Sequence, residues 1–140
     1  FSTFTDSTGV YKYGDHAQFS LNKYLALPVP PPRDEEADIE GLDYKDGYLW
    51  LVGSHSLKRK KPDKKDSVED NFKHLAKVSC DGNRYLLARI PVVEKDGTHI
   101  LEKEADQNGK LRTAAQLPGN ATGNALTQAL AQDKHLQPFL

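Results

Sequence analysis

Four glycine-containing dipeptides, each beside an apolar run, constrain the fold of this chain more than any other feature. They are Asp46-Gly47, Asp81-Gly82, Asp96-Gly97 and Asn108-Gly109. Asp-Gly and Asn-Gly readily adopt the left-handed backbone of the tight turns that join antiparallel strands. Parallel strands would need a crossover of a dozen or more residues between the runs. We therefore expect a mainly β fold built from antiparallel meanders.

The clearest single prediction is a hairpin in the first half of the chain. The runs "DIEGLDY" and "YLWLVGS" are apolar and aromatic, and Lys45-Asp46-Gly47 lies between them. Such runs on either side of Asp-Gly are a strong hairpin signal. Gly53 is expected to end the second strand. Trp50 lies between two leucines and is expected in the core.

Further strands are expected on both sides of the later turns. Residues 84–93 should pair across Asp96-Gly97 with residues 99–105, and Asn108-Gly109 should lead into a strand over residues 110–117. Residues 1–13 predict one or two short strands around "DSTG". The proline-rich run "PVPPPRDEE" predicts an extended, polyproline-like connection.

Two short helices complete the expected fold. Residues 69–79 place apolar side chains at helical spacing, with Ser67 or Asp70 as the cap, and Asp81-Gly82 should end this helix. Residues 122–133 predict a second helix that starts near Thr122.

Composition excludes some classes of function. The 140 residues suit a single domain, and 19 basic against 20 acidic residues give a net charge of −1, so no overall positive field would attract nucleic acid. No apolar run approaches the ~20 residues of a membrane span, and no membrane partner is expected. Cys80 is the only cysteine, which excludes an intrachain disulfide and favours the cytoplasm. Because the chain starts at Phe1 and contains no Met, its native N-terminus is expected to be missing.

Two segments carry a resemblance to a known family. "DIEGLDYKDGYLWLVGSHSLKRKK" and "GNALTQALAQDKHLQPFL" resemble the bacterial domain-of-unknown-function family 3616. In that family an Asp-x-Glu-Gly-Leu strand leads into a Gly-Ser-His loop with basic residues, and an Asn-Ala-Leu helix precedes His-Leu-x-Pro-Phe.

The resemblance implies a β-propeller-like fold, related to phytase-like and lactonase-like propellers, and no established reaction. A propeller blade takes roughly 40–50 residues, so this chain would form about three blades, below the usual minimum of about four for closure. We therefore expect residues 1–140 to be one propeller-like domain with a partial ring, or a fragment of one. An open arc exposes strand edges, and self-association to cover them is expected.

Two acidic residues are candidate metal ligands. On a strand, Asp38 and Glu40 point to the same side. The lactonase-like propellers imply that Glu40, beside Gly41 at the start of a blade, supplies a carboxylate to a divalent cation such as calcium. Calcium needs several oxygen ligands, so one Glu is not a site. Alternatively, Glu40 accepts backbone N–H groups or pairs with Arg59.

The sequence Ser54-His55-Ser56 contains the second set of candidates. Neighbouring side chains on an extended strand point to opposite faces, so Ser54 and His55 cannot form a nucleophile–base dyad. Ser54 and Ser56 are expected to share one side, with His55 opposite. His55 with Glu40 is the candidate catalytic couple, as base and orienter or as metal ligands. The alternative is a structural histidine at a strand end.

The basic run that follows, residues 58–65, is a candidate substrate-binding loop. Ser54, Lys58 and Arg59 could hold a phosphate or carboxylate, because Lys and Arg supply charge-assisted donors. Pro62 interrupts the run and aromatic residues are absent, so nucleic acid is not the expected partner. The alternative is a solvated loop.

Two functions remain open on the sequence. The first is a propeller-like binding or scaffold module for a small molecule or protein. The second is a metal-assisted hydrolase of an ester, lactone or phosphoester, in which Glu40 binds metal, His55 acts as base or ligand, and Arg59 holds an anion. The incomplete constellation of candidate residues favours the first.

Overall fold

The computed structural model describes residues 3–5, 11–13, 19–29 and 37–140. In chain order the strands are β1 (Thr3–Thr5), β2 (Tyr11–Tyr13), β3 (Ile39–Lys45), β4 (Tyr48–Gly53), β5 (Lys58–Arg59), β6 (Val78–Ser79), β7 (Leu87–Lys95), β8 (Thr98–Leu101), β9 (Glu104–Gln107), β10 (Lys110–Thr113), β11 (Ala115–Gln116), β12 (Gly119–Asn120) and β13 (Gly123–Asn124). The α-helices are α1 (Val68–Ala76) and α2 (Ala125–Leu130). Short 3-10 turns cover Leu21–Lys23, Gly82–Arg84 and Gln137–Phe139.

The central element is a five-stranded antiparallel sheet. Its strands lie in the order β3, β4, β7 and β11, and β8 pairs with the carboxy-terminal half of β7. The other described sheets are two-stranded and antiparallel: β1 with β2, β5 with β6, β9 with β10 and β12 with β13. The expectation of a mainly β, antiparallel fold with two helices is confirmed.

Three of the four expected turns join neighbouring antiparallel strands. Asp46, Asp96 and Asn108 all have positive φ, as do the glycines that follow them. This is the backbone of a type I′ turn. The dipeptide Asp81-Gly82 was wrongly assigned as the stop of the first helix, because Asp81 has φ −101° and caps a 3-10 turn instead.

The hydrophobic core lies on one face of the central sheet, called here the core face. Leu51, Ala88 and Ile90 point from β4 and β7 to this side and are buried with Leu25 and Leu86. Cross-strand register places Leu51 opposite Ala88, so both side chains face the same way. The segment that carries Leu25 covers part of the core face.

The opposite face of the sheet carries the two aromatic side chains of β4 and an arginine of β7. Trp50 lies opposite Arg89 in the β4–β7 register, and Tyr48 lies near by on the same side. The expectation that Trp50 is part of the core was wrong. Strand alternation in β4 directs Leu49 and Leu51 to the core face, where Leu51 is buried in the core, and Trp50 to the other face.

Both helices are shorter than expected. Ser67 caps α1, as predicted, through a hydrogen bond from the Asp70 N–H, but the helix ends at Ala76 because the chain enters β6 at Val78. In the second helix the cap is Asn124 and not Thr122. No apolar residue of either helix is buried, so the core depends on the sheet and not on the helices.

The central meander is consistent with a partial propeller-like fold. The expected count of about three blades stays a prediction. The "DSTG" turn and most of the proline-rich connection, residues 30–36, lie outside the described residues. Among the described helices, none is long and apolar enough to cross a membrane.

Candidate functional site

The candidate residues lie where the β3–β4 hairpin meets the start of β7. Gly53 ends β4, and its N–H donates to the carbonyl of Leu86 at 2.8 Å. The Ser54 N–H donates to the carbonyl of Asp38, and the His55 N–H to the carbonyl of Arg84. These bonds fix the loop that follows β4 between two other parts of the chain.

Two residues of this loop region have a left-handed backbone. Asp38 has φ +46° and His55 has φ +51°. Such a conformation costs a non-glycine residue of order 1 kcal/mol or more, and it persists only where the surroundings enforce it. The backbone bonds around Ser54 and His55 supply that enforcement. The strand therefore ends at Gly53, and His55 does not continue it.

Arg84 organises the polar side of the loop. Its Nε donates to Ser54 Oγ at 2.9 Å, and one of its terminal nitrogens donates to Ser56 Oγ at 3.3 Å. The same terminal nitrogen forms an ion pair with Asp38 at 2.5 Å. Ser54 and Ser56 thus share one side, with His55 opposite, as the sequence predicted. Because Arg84 holds both hydroxyls, this side is a closed polar cluster.

His55 points away from that cluster into the protein. Its side chain is 2% exposed, with Nδ1 2.9 Å from Thr127 Oγ1 and Nε2 3.2 Å from the carbonyl of Leu86. Burial lowers the pKa of the imidazole below its usual value, and the hydrogen bond to Leu86 opposes this shift in part. Both ring nitrogens are engaged by protein atoms, which is the arrangement of a structural histidine.

Glu40 does not contact His55. It sits in a β-bulge, since the β3–β4 register shifts between Ile39 and Gly41, and its side chain is exposed. Within the described part of the chain, no hydrogen bond or ion pair joins Glu40 to His55 or to Arg59. The couple that the sequence suggested is therefore not assembled by a direct contact, and its catalytic role stays a prediction.

The two basic candidates, Lys58 and Arg59, bond to neighbouring segments of the chain. Lys58 forms an ion pair with Asp81 at 2.8 Å. Arg59 donates to the carbonyl of Leu75 at 3.0 Å, close to the end of α1. These contacts tie the short β5 strand to the helix and to the start of the next turn. They do not direct either cation to the hydroxyl of Ser54, which is held by Arg84.

The metal prediction gains no support from the described residues. They contain no group of three or more His, Cys, Asp or Glu side chains that could hold a metal ion. Asp38 forms an ion pair with Arg84, and no described His, Cys, Asp or Glu cluster includes Glu40 in its bulge. Calcium needs six to eight oxygen ligands, so these two carboxylates do not make a calcium site.

A large groove opens on the core face beside β3. Its volume is about 1310 Å³. The segment that follows Phe19 forms one wall, and β3, β4 and β8 form the floor and the other wall. Its mainly apolar lining includes Phe19, Ile39, Leu42, Tyr44, Leu49 and Leu101, with Glu40 among the few charged groups. The segment that carries Leu25 leaves part of the core face uncovered, and this part forms the groove. Glu40 is one of the residues that line it.

Sequence reasoning missed three residues that shape this region: Arg84, Asn124 and Thr127. A capping box joins the last two, because the Asn124 side chain accepts from the Thr127 N–H and Thr127 Oγ1 accepts from the Asn124 N–H. The spacing Asn-x-x-Thr before an apolar helix could have revealed this cap. No local pattern marks Arg84, because its partners lie some 30 or more residues away in the chain.

Comparison with known proteins gives one finding. No curated protein and no solved structure matches the chain. A family model described as a protein of unknown function matches residues 3–140. That match supports the family to which the two motifs pointed, whereas the bacterial origin, the propeller relationship and the hydrolase alternative receive no support from it. Since the match covers nearly the whole sequence, the chain belongs to the family of proteins of unknown function DUF3616.

Proposed function

We propose that this chain is a propeller-like scaffold module that self-associates by strand addition along β3. One observation carries the proposal. β3 is an edge strand of the central sheet, with β4 as its only partner among the described strands, and its apolar side chains Leu42 and Tyr44 are 66% and 61% exposed. An edge of this kind is a template for another strand.

The hairpin geometry decides which backbone groups of β3 are free. A two-residue type I′ turn makes Lys45 and Tyr48 a hydrogen-bonded pair, and such pairs alternate along the hairpin. Lys45, Asp43 and Gly41 therefore direct their backbone groups toward β4. Leu42 and Tyr44 direct theirs outward, so an added strand can bond to both.

The side chains favour a second copy of β3 as the added strand. In an antiparallel pair centred on Leu42, each Leu42 lies opposite the other, and Asp43 lies opposite Gly41. No like charges meet in this register. A shift to a pair centred on Asp43 would place two carboxylates opposite each other, which is unfavourable. Because the bulge at Glu40 ends the regular part of β3, the regular pairing in this register covers Gly41, Leu42 and Asp43 of each copy.

The groove and the net charge support the same association. Leu42 and Tyr44 line the groove on the core face, so pairing two β3 strands joins the two grooves and covers apolar surface from water. With a net charge of only −1, long-range repulsion between two copies is weak. A twofold pair is also closed, which limits the assembly to a dimer.

A cysteine placed at the twofold axis tests the proposal. Leu42→Cys, in a Cys80→Ser background, should form a covalent dimer on mild oxidation, because Cα atoms in a hydrogen-bonded antiparallel pair lie about 5.5 Å apart, within disulfide range. Gln128→Cys, on the exposed side of α2, is the matched control and should remain monomeric. Analytical ultracentrifugation of the unmodified chain should show a concentration-dependent dimer that Leu42→Lys abolishes.

Two results would contradict self-association. One is equal cross-linking of the two cysteine variants. The other is a chain that remains monomeric at every concentration in the analytical ultracentrifuge.

A further inference from the structure

The face of the central sheet opposite the core holds two arginines and two aromatic rings. This arginine face consists of Tyr48, Trp50, Arg89 and, from β10, Arg112. The guanidinium carbon of Arg89 lies 4.6 Å from the Tyr48 ring centroid and 5.7 Å from that of Trp50. That of Arg112 lies 5.7 Å from the Tyr48 centroid. Two cations thus share one ring, each at cation–π distance.

Neither cation has an acidic partner in the described part of the chain. Arg112 is buried and donates to the carbonyls of Gly47 and Val92, while its Nε has no acceptor there. Within the same described ranges, the side chain of Arg89 makes only its two ring contacts. On the adjoining strand the same face carries one acid and one base, Asp43 and Lys45, whose charges offset each other. The face therefore keeps an excess of positive charge, and an anion would relieve it.

A small groove lies directly beside Arg89. Its volume is about 220 Å³, and it is lined by Trp50, Leu87, Ala88, Arg89, Ala115, Gln116, Leu117 and Pro118. The lining is almost entirely apolar apart from Arg89 and Gln116. For scale, an apolar cavity of about 150 Å³ in another protein holds a benzene molecule. The groove is thus large enough for a single ring or a short aliphatic body.

We infer that the arginine face is a binding site for a small organic carboxylate. The carboxylate pairs with the guanidinium of Arg89, whose planar fork matches two carboxylate oxygens. The apolar body of the ligand packs against the Trp50 ring and fills the groove toward Pro118. The rings of Tyr48 and Trp50 hold the guanidinium in place, so little side-chain entropy is lost when the ligand binds. This site lies on the opposite side of the sheet from the groove beside β3 and is independent of self-association.

The single tryptophan of the chain provides the measurement. Trp50 is the only source of indole fluorescence, so a saturable change on titration reports this site alone. The probes are benzoate and its neutral analogue benzamide. We expect saturation with benzoate, and binding of benzamide at least about ten-fold weaker, because a charge-assisted pair contributes about 1.5–3 kcal/mol.

Single-residue variants distinguish binding at the arginine face from a general effect of benzoate on the protein. Arg89→Gln should weaken benzoate binding about ten-fold or more, whereas Lys134→Gln, at an exposed cation elsewhere, should leave it unchanged. Ala115→Leu fills the groove without altering Arg89 and should also weaken binding, which provides a second variant should Arg89→Gln fail to fold. The proposal is overturned if benzoate gives no saturable change, if benzamide binds equally well, or if folded Arg89→Gln or Ala115→Leu binds as the parent does.

Discussion

The imidazole of His55 joins the end of β4 to the carbonyl of Leu86, immediately before β7, with Nε2 3.2 Å from the carbonyl oxygen. A carbonyl only accepts hydrogen bonds, so Nε2 carries the proton in the neutral ring. Nδ1 then accepts from the hydroxyl of Thr127, 2.9 Å away, in the first turn of α2. One neutral side chain thus holds together a strand end, a second strand and a helix.

His55 should make the stability of the fold depend on pH. Burial lowers its pKa in the folded state below the usual 6.5, so below about pH 6.5 the unfolded chain binds a proton that the folded chain does not. His55 is neutral in both states at higher pH, and stability is lost as the pH falls from 6.5 toward the lowered folded value. The slope for one proton cannot exceed about 1.4 kcal/mol per pH unit. Urea unfolding between pH 5 and 8 measures it.

The matched variant is His55→Gln, which retains a polar side chain but does not titrate. It should be less stable at pH 8, because buried hydrogen bonds are lost, and the difference from the parent should shrink as the pH falls. The four other histidines are present in both chains and cancel in the comparison. A difference that stays constant over this range would show that the His55 pKa is not lowered.

Asn124 should be the most costly cap to remove. Its side-chain oxygen accepts from the N–H groups of Leu126 and Thr127, and its Nδ2 donates to the buried carbonyl of Tyr85 at 2.9 Å. Asn124→Ala removes a cap, worth about 1 kcal/mol, and leaves that carbonyl without its donor, which costs about 1–3 kcal/mol. We expect a loss of about 2–4 kcal/mol in the free energy of unfolding, measured by denaturant titration.

Two controls divide this loss into its parts. Asn124→Asp keeps the capping oxygen but removes the donor to Tyr85, and it should fall between the parent and Asn124→Ala. Ser67→Ala removes the cap of the exposed helix α1 and should cost only about 1 kcal/mol. Equal losses for Asn124→Ala and Ser67→Ala would mean that the bond to Tyr85 contributes nothing.

Gly53 should not tolerate a side chain. A Cβ at this position would lie 2.3 Å from the carbonyl oxygen of Arg84 and 3.0 Å from that of Ala37, and both are backbone atoms. Gly53→Ala should therefore displace the β4 end from Arg84 and lower the melting temperature by several degrees or prevent folding. Gly97→Ala is the control, since its Cβ would meet nothing within 4 Å and only the positive φ opposes it. If the two variants have the same melting temperature, the close approach at Gly53 is not a constraint.

The hairpins could be predicted from the sequence because a type I′ turn is a local property of two residues. The same rule failed at Asp81-Gly82 for a long-range reason. A Cβ on Gly82 would lie 2.6 Å from the Cα of Ala121, so this glycine permits the close approach of a distant segment and does not form a hairpin turn. A dipeptide alone cannot distinguish these two uses of glycine.

The candidate site was predictable only in part, for a similar reason. Ser54 and Ser56 do share one side with His55 opposite, although β4 ends at Gly53 and His55 has a left-handed backbone. The partners that decide what these side chains do are Arg84, Leu86 and Thr127, which the fold brings in from elsewhere. The bulge at Glu40 also breaks the regular alternation of β3. Local periodicity therefore predicts the directions of side chains but not their contacts.

The ion pair between Arg84 and Asp38 should show strong coupling in a double-mutant cycle. The two side chains are only 11% and 26% exposed, so solvent screens their charges less than it would on the surface. Asp38→Ala leaves Arg84 without its carboxylate, and Arg84→Ala also removes the donors to both serines. We expect a coupling energy of about 1–3 kcal/mol from urea unfolding of the single and double variants.

The matched pair is Lys95 and Glu102, at 2.7 Å with exposures of 60% and 35%, where screening should reduce the coupling to about 0–1 kcal/mol. Equal coupling energies in the two cycles would show that the Arg84–Asp38 pair contributes no more than an exposed ion pair.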